Sequence, residues 1–292
     1  MSLNDEGERR SGYLLVLLLV LYIVARILQL YADRFPTLLI VVLHVLPPAV
    51  FALLHGKITY RWRGIVVFAG LSLGIATLLE SLSLRTGFPF GHYYFTDVMG
   101  PKVLQLPVLL ALAYVGMGYL SWVVGLLIVG HHDGHYDEPL KGRRMIFLPL
   151  VASFVMVAWD LAMDPVWSNL YRAWVWKDGG SFFGVPVSNF LGWYLTVYLF
   201  YQAFALYLRG RTVPPLPLKH WRLPVLFYGA SAAGNVLLAI PSATPAIVTD
   251  PSGRQWRSAD IIHSCVLVSI FVMGAFAVIA WSRLPVSARD SV

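Results

Sequence analysis

Residues 64–130, GIVVFAGLSLGIATLLESLSLRTGFPFGHYYFTDVMGPKVLQLPVLLALAYVGMGYLSWVVGLLIVG, read as two apolar runs held apart by a loop of glycine, proline and aromatic residues. Each run reaches the roughly 20 predominantly apolar residues that a helix needs to cross a bilayer. The loop, TGFPFGHYYFTDVMGP (86–101), carries too many Gly and Pro residues to continue either helix. Glu80 stands close to the end of the first run. A carboxylate beside hydrocarbon is costly, so an acid in this position is first read as functional. The unit fixes the fold class as all-α: a polytopic membrane helix bundle.

The rest of the chain repeats this reading. Of its 292 residues, 58% are hydrophobic and 13% charged, where a soluble domain carries about 25% charged residues. About eight spans are expected, near 13–31, 37–55, 64–84, 103–130, 145–164, 188–209, 223–240 and 259–282. They form one transmembrane domain over 1–292, with short tails at 1–12 and 283–292. The first run does not read as a cleaved leader, because Tyr22, Arg26 and Gln29 stand where small cleavage-site residues are needed. Cys265 is the single cysteine, which excludes an intramolecular disulfide.

A net charge of +7 could suggest nucleic acid, but the placement of the basic residues argues against it. In an eight-span arrangement 14 Lys and Arg fall on the side of the N-terminus and 7 on the other, with Arg26 inside the first span. Basic residues follow the cytoplasmic side. Both termini are therefore expected in the cytoplasm of a multi-pass protein of the cell membrane.

A second unit echoes the first. Asp160 and Asp164 close the run 145–164, and the loop AWVWKDGGSFFGVP (173–186) follows. Gly100 precedes Pro107-Val108 by seven residues, and Gly179 precedes Pro186-Val187 by seven. Tyr114 and Trp193 share an offset from those prolines, as do Tyr119 and Tyr198. A parallel internal repeat of helix pairs would set Glu80 opposite Asp160 and Asp164 across an axis along the membrane normal. Asp160 and Asp164 are four apart and share a helix face. Burial and like charge both penalise a doubly ionised pair, leaving one able to give a proton and a neighbour able to take one. The plainer alternative puts both in the headgroup zone, paired with Arg172 or Lys177, with Asp164-Pro165 as a helix terminus.

Topology collects His44, Asn189, Asn235, Asp260 and His263 at the same face as these acids and leaves the opposite half almost purely apolar. His92 and Asp97 either line a re-entrant entrance or decorate a wet turn, and the apolar GFPF before His92 favours partial burial. Tyr93, Tyr94, Trp174, Trp176 and Trp193 are candidates for contact with an apolar ligand, against the alternative of an interfacial aromatic belt. HHDGH (131–135) has the composition of a metal site but sits in a charged loop and reads as solvated. His44 and His263 as axial haem ligands lack a supporting attachment sequence. No GxSxG, HExxH or Walker sequence occurs. No metal site is expected.

TGFPFGHYYFTDVMGPKVLQLPV (86–108), AWDLAMDPVW (158–167) and FFGVPVSNFLGWYL (182–195) resemble the membrane carotenoid-biosynthesis family that includes the carotenoid 1,2-hydratases. The resemblance covers roughly residues 64–210. It implies a multi-span enzyme, without metal or organic cofactor, that adds water across the terminal C1–C2 double bond of an acyclic carotenoid end. The implied partners are a long isoprenoid, water, the lipid bilayer and other enzymes of carotenoid synthesis.

The residues suit such chemistry. An acid protonates C2, a tertiary cation forms at C1, water attacks, and a base takes the proton. Asp164 or Asp160 is the expected acid, and Glu80 the acceptor or the holder of the water. Asn189 and His92 would orient the water, and the aromatic residues would face the cation. Two other classes share these features: an end-group cyclase or isomerase, in which an internal double bond captures the cation, and a non-enzymatic pigment or lipid carrier or transporter.

Overall fold

The computed structural model describes residues 3–130, 139–240 and 246–284. Its helices are α1 (Leu3–Leu28), α2 (Thr37–Thr86), α3 (Val108–Val129), α4 (Arg144–Asn169), α5 (Val187–Leu208), α6 (Leu218–Leu237), α7 (Ser258–Val268) and α8 (Gly274–Ser282). A π-helical turn, Ser269–Met273, joins α7 to α8 without a break. Short strands lie in the connections: β1 (Tyr93–Phe95), β2 (Lys102–Val103), β3 (Leu106–Pro107), β4 (Trp174–Trp176), β5 (Ile247–Thr249) and β6 (Gln255–Arg257). The chain is a helical membrane bundle. Among the described residues, six helices are long and apolar enough to cross a membrane, Ser258–Ser282 counting as one.

The 50 residues of α2 make two passes. At 1.5 Å per residue they would reach about 75 Å if straight, far beyond the roughly 30 Å of hydrocarbon. Arg61, at φ 60° and ψ 174°, breaks the helix. Contacts from α3 fix the direction of each arm. Gly116 meets Ala49, Tyr119 meets His55 and Thr59, and Trp122 meets Tyr60, so the first arm rises in number along α3. Tyr114 meets Glu80 and Tyr119 meets Phe68, so the second arm falls. The arms are antiparallel, and the expected loop 55–64 is helix apart from one residue. The second arm can start at once because Gly64 lies on Tyr60, where an added Cβ would come 2.5 Å from the Tyr60 Cβ.

The end of the bundle that carries Glu80 is called upper here, and the end at Arg61 lower. α6 runs from His220, beside His55, up to Asn235, beside Arg26. The α7–α8 pass returns from Ser269, bonded to Asn235, down to Trp281, which lies under Arg222. Small residues let neighbouring helices close on one another. A Cβ on Gly125 of α3 would sit 2.9 Å from the Ala152 Cα of α4, and one on Gly116 would sit 2.7 Å from the Ala49 nitrogen.

Two expected boundaries move. The run 103–130 becomes helix only at Val108, because 102–107 form the β2–β3 hairpin, turned by Leu104 and Gln105 at positive φ. Asp164-Pro165 does not end α4, which continues to Asn169. The Ser168 hydroxyl and Asn169 amide take up the carbonyls of Asp164 and Pro165 at 2.8 and 2.9 Å, which satisfies acceptors at the frayed end. Glu80, Asp160 and Asp164 therefore lie deeper than the last turn.

The lower half is less apolar than its composition suggested. His55 and His220 stack with ring centroids 3.7 Å apart, and Thr59 and Tyr119 hydrogen-bond them. Each of these four groups finds a partner on another pass, which makes this a packing knot. At the upper end Asp260 and His263 are exposed on the outside of the bundle. His44 is buried and both its ring nitrogens are engaged, so it forms no pair with His263. The HHDGH run lies outside the described residues.

Candidate active site

Two loops close the upper end and meet as a two-stranded antiparallel sheet, β1 with β4. Tyr93 stands opposite Trp176, and Phe95 opposite Trp174. Alternation along a strand sends these four side chains inward and Tyr94 outward, where it is exposed. Gly87, left-handed at φ 79°, ends α2 and starts the first loop. Ser83 then anchors Phe90, its hydroxyl accepting from the Phe90 amide at 3.2 Å. Ser188 donates to the Phe90 carbonyl at 2.9 Å. Gly192 of α5 lies so close beneath that a Cβ there would come 2.7 Å from the Phe90 ring. The second loop is held by the β5–β6 hairpin, with Trp256 edge-on to Phe183 at 5.3 Å and Gly184 against Asp250.

Beneath the sheet lies a cavity of about 20 Å³, lined by Glu80, Phe90, Tyr93, Phe95, Leu110, Asp164, Trp174, Trp176, Asn189 and Trp193. That is room for about one water. Both acids that face it are buried and belong to different helices. Asp164 Oδ1 accepts from the indoles of Trp174 at 2.9 Å and Trp176 at 3.3 Å. Its Oδ2 accepts from Asn189 at 2.6 Å, and the same amide reaches Asp160 Oδ2 at 3.2 Å. Glu80 meets the hydroxyls of Tyr93 and of Tyr114, the latter at 2.9 Å. Asp160 is fully buried behind the cavity, and among the described residues its Oδ1 has no hydrogen-bond partner.

The partners set what each acid can do. Indole and amide N–H groups only donate, so the surroundings of Asp164 suit an ionised carboxylate. A hydroxyl donates or accepts, so Tyr93 and Tyr114 serve Glu80 in either state. Burial, and then the Glu80 carboxylate beside it, hold the Tyr93 hydroxyl well above the usual phenol range, so Tyr93 keeps its own proton. Asp164 is thus surrounded by groups that can only donate, and Glu80 by hydroxyls that can serve it in either state.

Of the candidate residues, Glu80, Asp164, Tyr93, Trp174, Trp176, Asn189 and Trp193 come together at the cavity, with Asp160 behind. His92, Tyr94 and Asp97 do not. His92 is exposed and pairs with Asp178 at 2.8 Å on the outer surface, and Asp97 is exposed in the short turn after β1. The GFPF stretch buries Phe90 instead of His92, because the strand alternation turns the histidine outward. Tyr114, Phe90, Phe95 and Leu110 were not anticipated at the site. One signal did point to Tyr114: its offset from Pro107 equals that of Trp193 from Pro186, and the two rings stack at 4.6 Å and 13°.

Among the described residues no cluster of three or more His, Cys, Asp or Glu could hold a metal ion. Residues 35–249 match the family described as carotenoid biosynthesis protein. Over 133 residues the chain is 28% identical to a bisanhydrobacterioruberin hydratase of Haloarcula japonica. The match covers 44% of this chain and 42% of that protein, less than half the length of either. No solved structure matches. The chain belongs to the carotenoid biosynthesis protein family.

Proposed function

We propose that this family member is a carotenoid hydratase, adding water to the terminal C1–C2 double bond of an acyclic carotenoid end within the membrane. The observation that carries the reading is one small cavity walled by two acids with opposite kinds of hydrogen-bond partner. Glu80 gives its proton to C2, with Tyr93 and Tyr114 turning their hydroxyls as it ionises. The cation left at C1 lies among the ring faces of Tyr93, Trp176 and Trp193, each worth ~0.5–2 kcal/mol to a cation. Asp164 takes the proton from the attacking water. Asp160 and Asn189 hold Asp164 in position, so Asp160 acts through its neighbour.

Proton return to Glu80 by way of solvent completes the cycle, with no net change of protons and no cofactor required by the balance. The relative's printed name agrees in reaction class. A carrier or transporter is the weaker account. A carrier has no use for a proton donor and a proton acceptor across a water-sized cavity. The test is expression in a host that accumulates an acyclic carotene, with mass analysis of the pigments. A gain of one or two waters supports hydration. An unchanged mass with a shifted absorption spectrum would mean an end-group cyclase instead.

A further inference from the structure

Beside the acidic cavity lies a larger one of about 50 Å³, with the side chains of Leu110 and Trp174 lining both. Most of its wall is apolar, including Met99, Met117, Trp159 and Met163, but one side carries Arg26, His44 and Asn235. The same three residues border a third cavity of about 10 Å³. Arg26 reaches this depth because Gly234 of α6 has no side chain, and the arginine stem lies where a Cβ would be.

Arg26 is 7% exposed and has no ion-pair partner among the described residues. Its Nη2 donates to the Asn235 amide oxygen and, at 3.4 Å, to the Ser231 carbonyl. Among the described residues, its Nε and the nearby Ser231 hydroxyl have no hydrogen-bond partner. A guanidinium carries five donors and cannot shed its charge. Buried donors that the protein leaves over are met by ordered water. At 10–15 Å³ for each water centre, 50 Å³ holds about three to five.

Reaction geometry gives this water a use. The acidic cavity has room for about one water, so an isoprenoid end that fills it displaces the nucleophile. The water must then wait next door. We infer that the Arg26–His44–Asn235 cavity is the water store of the reaction, from which water reaches the C1 cation past Trp174, whose indole already bonds the acceptor Asp164. The inference rests on the hydratase reading. Arg26, His44 and Asn235 are positioning residues within it.

The experiment uses membranes containing the full chain, an added acyclic carotene and D₂O. Arg26→Met removes the charge and the donors. Ala113→Val adds apolar bulk to the same cavity from α3 without touching a polar group. If the store supplies the water, protonation survives and capture fails. A cation without water loses a proton and returns an alkene carrying deuterium, one mass unit heavier. In both variants the hydrated product is expected to fall by at least about tenfold, while deuterium still enters unhydrated carotene. Equal losses of hydration and deuterium exchange would overturn the inference, because the cavity would then serve the fold or hold the isoprenoid chain. Undiminished hydration would overturn it too, placing the water elsewhere. A wild-type protein that neither hydrates nor exchanges would instead sink the hydratase reading itself.

Discussion

Glu80→Gln removes the proposed proton donor while keeping its shape. The two tyrosine hydroxyls that meet Glu80 can adapt to an amide. One donates to the new carbonyl and the other accepts from the new NH₂, as both atoms of a hydroxyl permit. The exchange of two hydrogen bonds costs about 1 kcal/mol or less, so the bundle is expected to fold with near-normal abundance. Activity is another matter. A positioned acid contributes ~10²–10⁴-fold, which at 1.36 kcal/mol per decade is about 3–5 kcal/mol of barrier. Hydration by detergent-solubilised protein, measured by mass spectrometry at matched protein amount, should fall by at least about 10²-fold. In D₂O, deuterium entry at C2 should fall with it, because both need the same proton transfer. Hydration by Glu80→Gln within about threefold of wild type would refute Glu80 as the donor and hand the role to Asp164 or Asp160, since the remaining loss would be under 1 kcal/mol.

Asp164→Asn should behave differently. The new NH₂ would face the Asn189 NH₂ at the 2.6 Å now spanned by a hydrogen bond, and relief by turning Asn189 would oppose its oxygen to Asp160. A loss of about 1–3 kcal/mol of stability is expected, read as a lower Tm, together with hydration reduced more than about tenfold and deuterium entry retained. At the β5–β6 hairpin, burial works to raise the Asp250 carboxyl, but hydrogen bonds from Ser252, Trp256 and the Arg254 backbone outweigh it and hold the group below its usual value. A depressed folded-state value stabilises the hairpin above the ordinary carboxylate range, and that contribution is lost as pH falls through the lowered value. Hydrogen exchange of the 247–257 amides, corrected for intrinsic rate, should therefore accelerate below about pH 4, and Asp250→Asn should abolish the dependence. The basic-residue asymmetry predicts cytoplasmic termini, so in intact cells a cysteine at Lys177 should label from outside and one at Lys141 should not; the opposite pattern would invert the orientation.

The bundle was legible because long apolar runs leave few alternatives, and the acids stood out because carboxylates are rare at that depth. Local chain direction was harder. A basic stretch such as HGKITYRWRG reads as a loop, yet a single residue, Arg61, supplies the whole reversal. Pro165 reads as a stop, yet α4 continues to Asn169, where the side chains of Ser168 and Asn169 bond carbonyls left over at its end. At the site, which loop residues face inward depended on strand alternation within three-residue segments too short to show a pattern. Tyr93 turns into the cavity, and its neighbours His92 and Tyr94 turn outward. The roles of the acids were least legible of all. The proposed roles rest on whether the partners are hydroxyls or indoles, and those partners come from the β1 and β4 strands and from α3 and α5.

The β1–β4 ladder has a consequence for how the protein tolerates its solvent. Tyr93, the partner of Glu80, and Trp176, a partner of Asp164, are opposed residues of one hydrogen-bonded register. Membrane helices answer changes in bilayer thickness by tilting, which shifts side chains on neighbouring helices relative to one another. Here the groups that brace the proposed donor and acceptor are tied together by backbone hydrogen bonds above the helix ends. The tie limits how far helix tilt can change the spacing between the proposed donor and acceptor, which would help the proposed chemistry stay in register in membranes of different thickness.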